Sequence, residues 1–99
     1  MQYGIRVIEP TPSDYERLTV TTAAVSQLDA ALTADAKAVF ITVETNSIRY
    51  RIDGEDPDTS NGHLVYATQN IWFENPAAIR QFRAIGIGGT ATLVVSYYR

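Results

Sequence analysis

Val39-Phe40-Ile41-Thr42-Val43-Glu44, Thr45-Asn46, and Ser47-Ile48-Arg49-Tyr50-Arg51-Ile52-Asp53 form one stretch in which apolar and polar residues alternate on both sides of a polar pair. Successive side chains of a strand point to opposite faces. Val39, Ile41 and Val43 therefore share one face of a first strand, and Ile48, Tyr50 and Ile52 share one face of a second, with Arg49 and Arg51 on the reverse. If Thr45-Asn46 is a two-residue hairpin loop, Val43 faces Ile48, Ile41 faces Tyr50 and Val39 faces Ile52, all on the core side. Slipping that register by one residue would bury the arginines and expose the isoleucines.

The same pattern extends in both directions. Phe82 to Ile87 and Thr90 to Tyr98 flank Gly88-Gly89, a hairpin signal that sets Phe82 opposite Val95 and Ala84 opposite Leu93. Shorter strands are expected at Leu64–Tyr66 and Ile71–Phe73, and a β-branched run predicts another over Arg17–Ala24. Glu55 to Gly62 is dense in turn formers and reads as a surface loop. Asn75-Pro76 has the form of a helix cap and first residue, whereas Ala30 to Lys37 supports a turn or a single helical coil. Before Tyr15, Pro10 and Pro12 oppose regular pairing, and Tyr3, Ile5 and Val7 alternate ahead of them. The expected architecture is all-β: a small antiparallel β-sandwich or barrel over residues 15–99, with an extended N-terminal arm over residues 1–14.

A chain of 99 residues holds one core, and at that size stability is marginal unless a partner surface adds to it. Cysteine is absent and His63 is the sole histidine, so disulfides and metal clips are poor candidates for that support. Oligomerisation gains weight. The net charge of −3 opposes nucleic-acid binding. No apolar run is long enough to span a bilayer and no secretion signal is legible, so a soluble, unprocessed chain is expected. Seven of the eight basic residues are arginine, a residue favoured at protein interfaces, although genomic base composition explains the same bias.

Catalytic chemistry finds few residues to work with. A nucleophilic triad would have to recruit His63 with a serine and an acid that no motif selects. Asp53 and Glu55 read as a solvated turn rather than a glycosidase pair. Asp53, Asp56 and Asp58 could offer oxygens to calcium, but their spacing is not that of an EF-hand. Gly86-Ile87-Gly88-Gly89 lacks the helix that would make it a phosphate loop. Tyr66, Trp72, Phe73, Tyr97 and Tyr98 could supply a stacking platform for a sugar. Neighbours on a strand point apart, so Trp72 and Phe73 cannot share a face, nor can Tyr97 and Tyr98. Ile85, Ile87 and Val94 fall opposite Phe82, Ala84, Leu93 and Val95, leaving an apolar second face to be covered by another subunit or by a loop of the same chain. The expected interface set is Tyr3, Ile5, Val7, Arg49, Arg51, Trp72, Arg83, Ile85, Val94 and Tyr98, with no catalytic, cofactor or metal residues.

Ile48-Arg49-Tyr50-Arg51-Ile52-Asp53-Gly54, the Asp56-Pro57 loop closing on Gly62-His63-Leu64, and the ending from Phe82-Arg83-Ala84-Ile85-Gly86 through Thr90-Ala91-Thr92-Leu93 resemble small virion structural proteins of tailed phages. The resemblance covers roughly residues 39–98. It implies a non-enzymatic, cofactor-free capsid decoration or cement protein located in the virion. Its implied partners are the major capsid protein or another virion protein, and further copies of itself, commonly as a trimer. A tail or head–tail component, and a carbohydrate-binding β-sandwich module, are the alternative expectations.

Overall fold

The computed structural model describes residues 11–99. Eight strands and two short helices follow one another as β1 (Pro12–Val20), β2 (Ser26–Gln27), α1 (Ala30–Thr33), β3 (Ala38–Glu44), β4 (Ser47–Arg51), β5 (His63–Val65), β6 (Asn70–Phe73), α2 (Pro76–Gln81), β7 (Arg83–Ile87) and β8 (Ala91–Tyr98). They build two antiparallel four-stranded sheets, sheet I in the order β1-β8-β3-β6 and sheet II in the order β2-β7-β4-β5. The sheets pack over one core, so the all-β sandwich expected from the alternation is the observed fold. No helix among the described residues is long and apolar enough to cross a membrane.

The expected inward sets are correct, but the expected hairpins are not formed. β3 pairs with β8 and β6, placing Ile41 between Val95 and Ile71. β4 pairs with β7 and β5, placing Ile48 between Gly86 and Val65. The chain therefore crosses from sheet I to sheet II at Thr45-Asn46, and from sheet II to sheet I at Gly88-Gly89 between β7 and β8, two of the six points at which it changes sheet among the described residues. Val43 and Ile48, like Phe82 and Val95, meet within the core instead of side by side in a ladder. Alternation dictates which side chains point inward, and that demand is met equally by two strands paired in one sheet or facing each other across a sandwich. Backbone geometry marks the crossings. Thr45 has φ 80° and Gly88 has φ 80°, both left-handed. The Asn46 side-chain amide donates to the Thr90 carbonyl at 2.9 Å, tying one crossing to the other.

β1 also departs from expectation. It runs from Pro12 to Val20 instead of Arg17 to Ala24, so Pro12, Ser13 and Asp14, expected in the arm, belong to sheet I. A proline at the start of an edge strand forfeits no ladder bond, and a register shift between Pro12 and Asp14 absorbs the irregularity. Thr11 and Arg99 exchange backbone hydrogen bonds of 2.8 and 2.9 Å just beyond it. Tyr3, Ile5 and Val7 lie outside the described residues.

Val20, Val39, Ile41, Val43, Ile48, Ile79, Phe82, Leu93, Val95 and Tyr97 are fully buried. α2 starts as expected, with the Asn75 side chain accepting from the Ala77 and Ala78 amides and Pro76 in the first turn, and it delivers Ile79 to the core. Tyr97 carries its hydroxyl into the interior and donates to Glu16 Oε1 at 2.5 Å. Burial, then that hydrogen bond, push the phenol far above its usual value, so it remains a neutral donor.

Candidate functional site: the outer face of sheet I

A sandwich has two outer faces, and here they differ. Register places Arg49 and Arg51 of β4, Arg83, Ile85 and Ile87 of β7, and Leu64 of β5 on the outside of sheet II. All three arginines are engaged by the loop that follows β4. Arg49 donates through Nε to the Thr59 carbonyl at 3.1 Å and through Nη1 to the Gly62 carbonyl at 2.9 Å. Arg51 grips the Asp53 carboxylate with two donors, at 3.0 and 2.5 Å, and Arg83 Nη1 meets Asp56 Oδ1 at 2.7 Å. Pro57 of this loop is buried, and Gly62 approaches so closely that a Cβ there would sit 3.2 Å from Pro57 Cβ and 3.3 Å from Arg49 Cβ. Ile85 is only 8% exposed. Arg49, Arg51 and Arg83, expected at an interface, thus find their partners within their own chain.

The loop's carboxylates are dispersed among different donors. Asp53 is held by Arg51, Asp56 by Arg83, and Asp58 by the Asn61 side chain together with the Ser60 and Asn61 amides. Among the described residues no group of three or more His, Cys, Asp or Glu is placed to hold a metal ion. A shallow pocket of about 390 Å³ opens at the loop's root, lined by Arg51, Ile52, Asp53, Gly62 and His63. Its two charged groups neutralise each other, and the His63 ring packs against Tyr50 with centroids 5.2 Å apart.

These contacts make the loop acid-sensitive. The hydrogen bond from Arg51 lowers the Asp53 pKa below the ordinary aspartate value of 3.8, and the hydrogen bond from the Asn61 side chain does the same for Asp58. A depressed folded-state value means that the stabilisation is complete above 3.8 and lost as pH falls through the lower folded values. Protection of the Glu55, Ser60 and Asn61 amides, whose N–H groups donate to these carboxylates, measured against the unstructured exchange rate at each pH, should fall over that acid range while the β3 amides stay protected. Unchanged protection of those loop amides across that range would show that the carboxylates do not hold the loop.

Sheet I presents the opposite picture. Register aligns Tyr15, Ser96, Phe40 and Trp72 as one cross-strand row on its outer face, and Arg17, Val94, Thr42 and Asn70 as the next. Tyr98 lies two residues along β8 from Ser96 and packs edge-to-face on Trp72, with centroids 5.2 Å apart and planes at 67°. The Trp72 indole N–H donates to Glu74 Oε2 at 2.6 Å, fixing the ring. Tyr15 is 61% and Trp72 45% exposed. Trp72, Val94 and Tyr98, all expected at an interface, come together here, and Phe73 and Tyr97 turn inward as the alternation required. Tyr15 and Phe40 join them. Phe40 could have been found as the bulky outward member between Val39 and Ile41, and Tyr15 by extending the β1 alternation backwards from Leu18 and Val20.

Comparison with family models, with curated proteins and with solved structures finds no match to this chain.

Proposed function

We propose that this chain is a non-enzymatic structural protein of a tailed-phage particle, a decoration or cement subunit on the head, acting through protein contacts at the outer face of sheet I. The observation that carries the reading is the asymmetry of the two outer faces. One is largely covered by the chain's own arginine-latched loop, with Leu64 of β5 still 37% exposed, and the other carries exposed Tyr15 and Trp72 beside half-buried Phe40, Val94 and Tyr98 on a four-stranded sheet. Aromatic residues on a firm, nearly flat surface are the usual anchors of protein interfaces, because they bury much area at little cost in side-chain freedom. The tilt of Trp72 against Tyr98 disfavours the carbohydrate alternative, since two rings at 67° do not offer a common plane to a sugar. The same sandwich suits a tail or head–tail position, and location in the particle separates the two.

Immunogold labelling of purified particles with antibody to the chain tests the role. Gold distributed over the head is expected. Gold confined to the tail would move the subunit there, and unlabelled particles from a lysate rich in the free chain would overturn the structural role.

A further inference from the structure

We propose that Asn61-Gly62 is a self-modification site, at which the chain slowly converts Asn61 to aspartate and isoaspartate, that the Asp58 carboxylate is the restraint on its rate, and that conversion unlatches the loop covering sheet II. The inference stands apart from the structural role above.

The chemistry needs a side-chain amide directly ahead of a backbone nitrogen that can reach it. The Gly62 nitrogen attacks Asn61 Cγ, the Cγ–Nδ2 bond breaks, and ammonia leaves with the proton from the Gly62 nitrogen. A cyclic imide results. Water then opens the ring at either carbonyl, returning a hydrogen to the Gly62 nitrogen. Opening at Cγ gives aspartate, and opening at the backbone carbonyl gives isoaspartate, with an extra carbon in the main chain.

The chain holds four asparagines, and position 61 is the one placed for this reaction. Asn75 precedes Pro76, whose nitrogen carries no hydrogen to give up. Asn70 precedes the branched Ile71 inside β6, and Asn46, its amide bonded to the Thr90 carbonyl, precedes Ser47 at the start of β4. Gly62 brings no side chain to hinder the approach, and Asn61 is exposed, so water has access. Nor can the glycine be traded for another residue. Its φ is 122°, and a Cβ there would lie 3.0 Å from the Tyr50 carbonyl oxygen. The packing that closes the loop over sheet II thus installs the labile pair.

The same loop supplies the restraint. Asn61 Nδ2 donates to both Asp58 oxygens, at 3.0 and 2.9 Å, and the Asn61 amide donates to Asp58 Oδ1 at 2.7 Å. The Asp58 amide in turn donates to the Asn61 carbonyl at 3.0 Å. Bringing Cγ within bonding distance of the Gly62 nitrogen moves the side chain off these partners. Donation to a carboxylate also keeps electron density on Nδ2, which makes Cγ less electrophilic and Nδ2 a poorer leaving group. After conversion a second carboxylate faces Asp58 where an amide had donated, so attraction becomes repulsion. The Gly62 carbonyl, which accepts from Arg49, belongs to the next residue along. Because the lost ammonia does not return, the loop opens in one direction only.

Incubation of the full chain for weeks at mildly alkaline pH in water enriched in heavy oxygen, followed by peptide mapping, is the test. The peptide containing Asn61 should lose ammonia, take up one heavy oxygen and appear in both aspartate and isoaspartate forms, with Asn46, Asn70 and Asn75 unchanged. Asp58→Ala should accelerate the conversion at least about tenfold, the factor that loss of a charge-assisted hydrogen bond gives in a rate. In urea the parent and Asp58→Ala should convert at the same, faster rate, which separates the folded contact from an effect of local sequence. Asn61→Gln should stay intact over the same period. The converted chain, isolated by its added negative charge, should show reduced protection of the Ser60 amide. An Asn61 that remains intact in the folded chain while it converts in urea, equal rates for the folded parent and Asp58→Ala, or a converted chain with undiminished loop protection would overturn the proposal.

Discussion

Gly86→Ala should destabilise the protein by about 3 kcal/mol, lowering the melting temperature by roughly 12–24 °C. Gly86 lies in β7 where the two crossings and the end of β1 converge. A Cβ there would meet the Gly89 carbonyl oxygen at 2.7 Å, the Val20 carbonyl oxygen at 2.9 Å and the Thr21 carbonyl carbon at 3.2 Å. All three are backbone atoms, so no side chain can swing away. The backbone itself is pinned, since the Gly86 amide donates to the Thr21 carbonyl at 2.8 Å. Relief requires β1 and the β7–β8 connection to separate. Thermal unfolding by circular dichroism reads the effect, with Gly54→Ala as the contrast: Gly54 has φ 86° and open space around it, so only the backbone conformation is penalised, at about 1 kcal/mol. Equal melting losses for the two variants would show that the backbone at Gly86 is loose enough to admit a methyl group.

Phe82→Ala should cost about 3–5 kcal/mol, a large share of the roughly 5–15 kcal/mol that keeps a domain of this size folded. Phe82 follows α2 and is fully buried. Its ring stacks on Tyr50 of sheet II at a centroid distance of 5.4 Å and lies 5.9 Å from Phe73 of sheet I, so it joins the two sheets. Truncation removes a large apolar surface and leaves a cavity that two sheets fixed by their ladders cannot close. Urea unfolding should show a midpoint far below that of the parent chain. Phe82→Leu keeps most of the volume and should lose less. An unfolding free energy for Phe82→Ala within about 0.5 kcal/mol of the parent would mean that the sheets are held together elsewhere.

The sequence specifies local features better than it specifies partners. Alternation at Val39–Val43, Ile48–Ile52 and Leu93–Tyr97 identified the inward side chains, because facing direction is a property of each strand alone. It could not say that β3 belongs with β8 and β6, since Val43 and Ile48 are equally content side by side or across a core. Glycines at Gly88-Gly89 are needed for positive φ in a hairpin and in a crossing alike, so the turn signal did not separate them. The site was partly legible for the same reason. Trp72, Val94 and Tyr98 follow from parity along their strands, whereas the loop that claims Arg49, Arg51 and Arg83 is an irregular segment whose path no periodicity encodes. Tyr15 is harder to read from sequence, because Pro12 has the look of an arm at a position where an edge strand begins.

A reconstruction of the particle at a resolution that shows side chains tests the central claim directly. Head-surface density matching the two-sheet sandwich is expected, with Tyr15, Phe40, Trp72 and Tyr98 buried against protein and the arginine-latched loop of sheet II turned away from that contact. A subunit present in the particle with those four aromatic side chains facing solvent would contradict it.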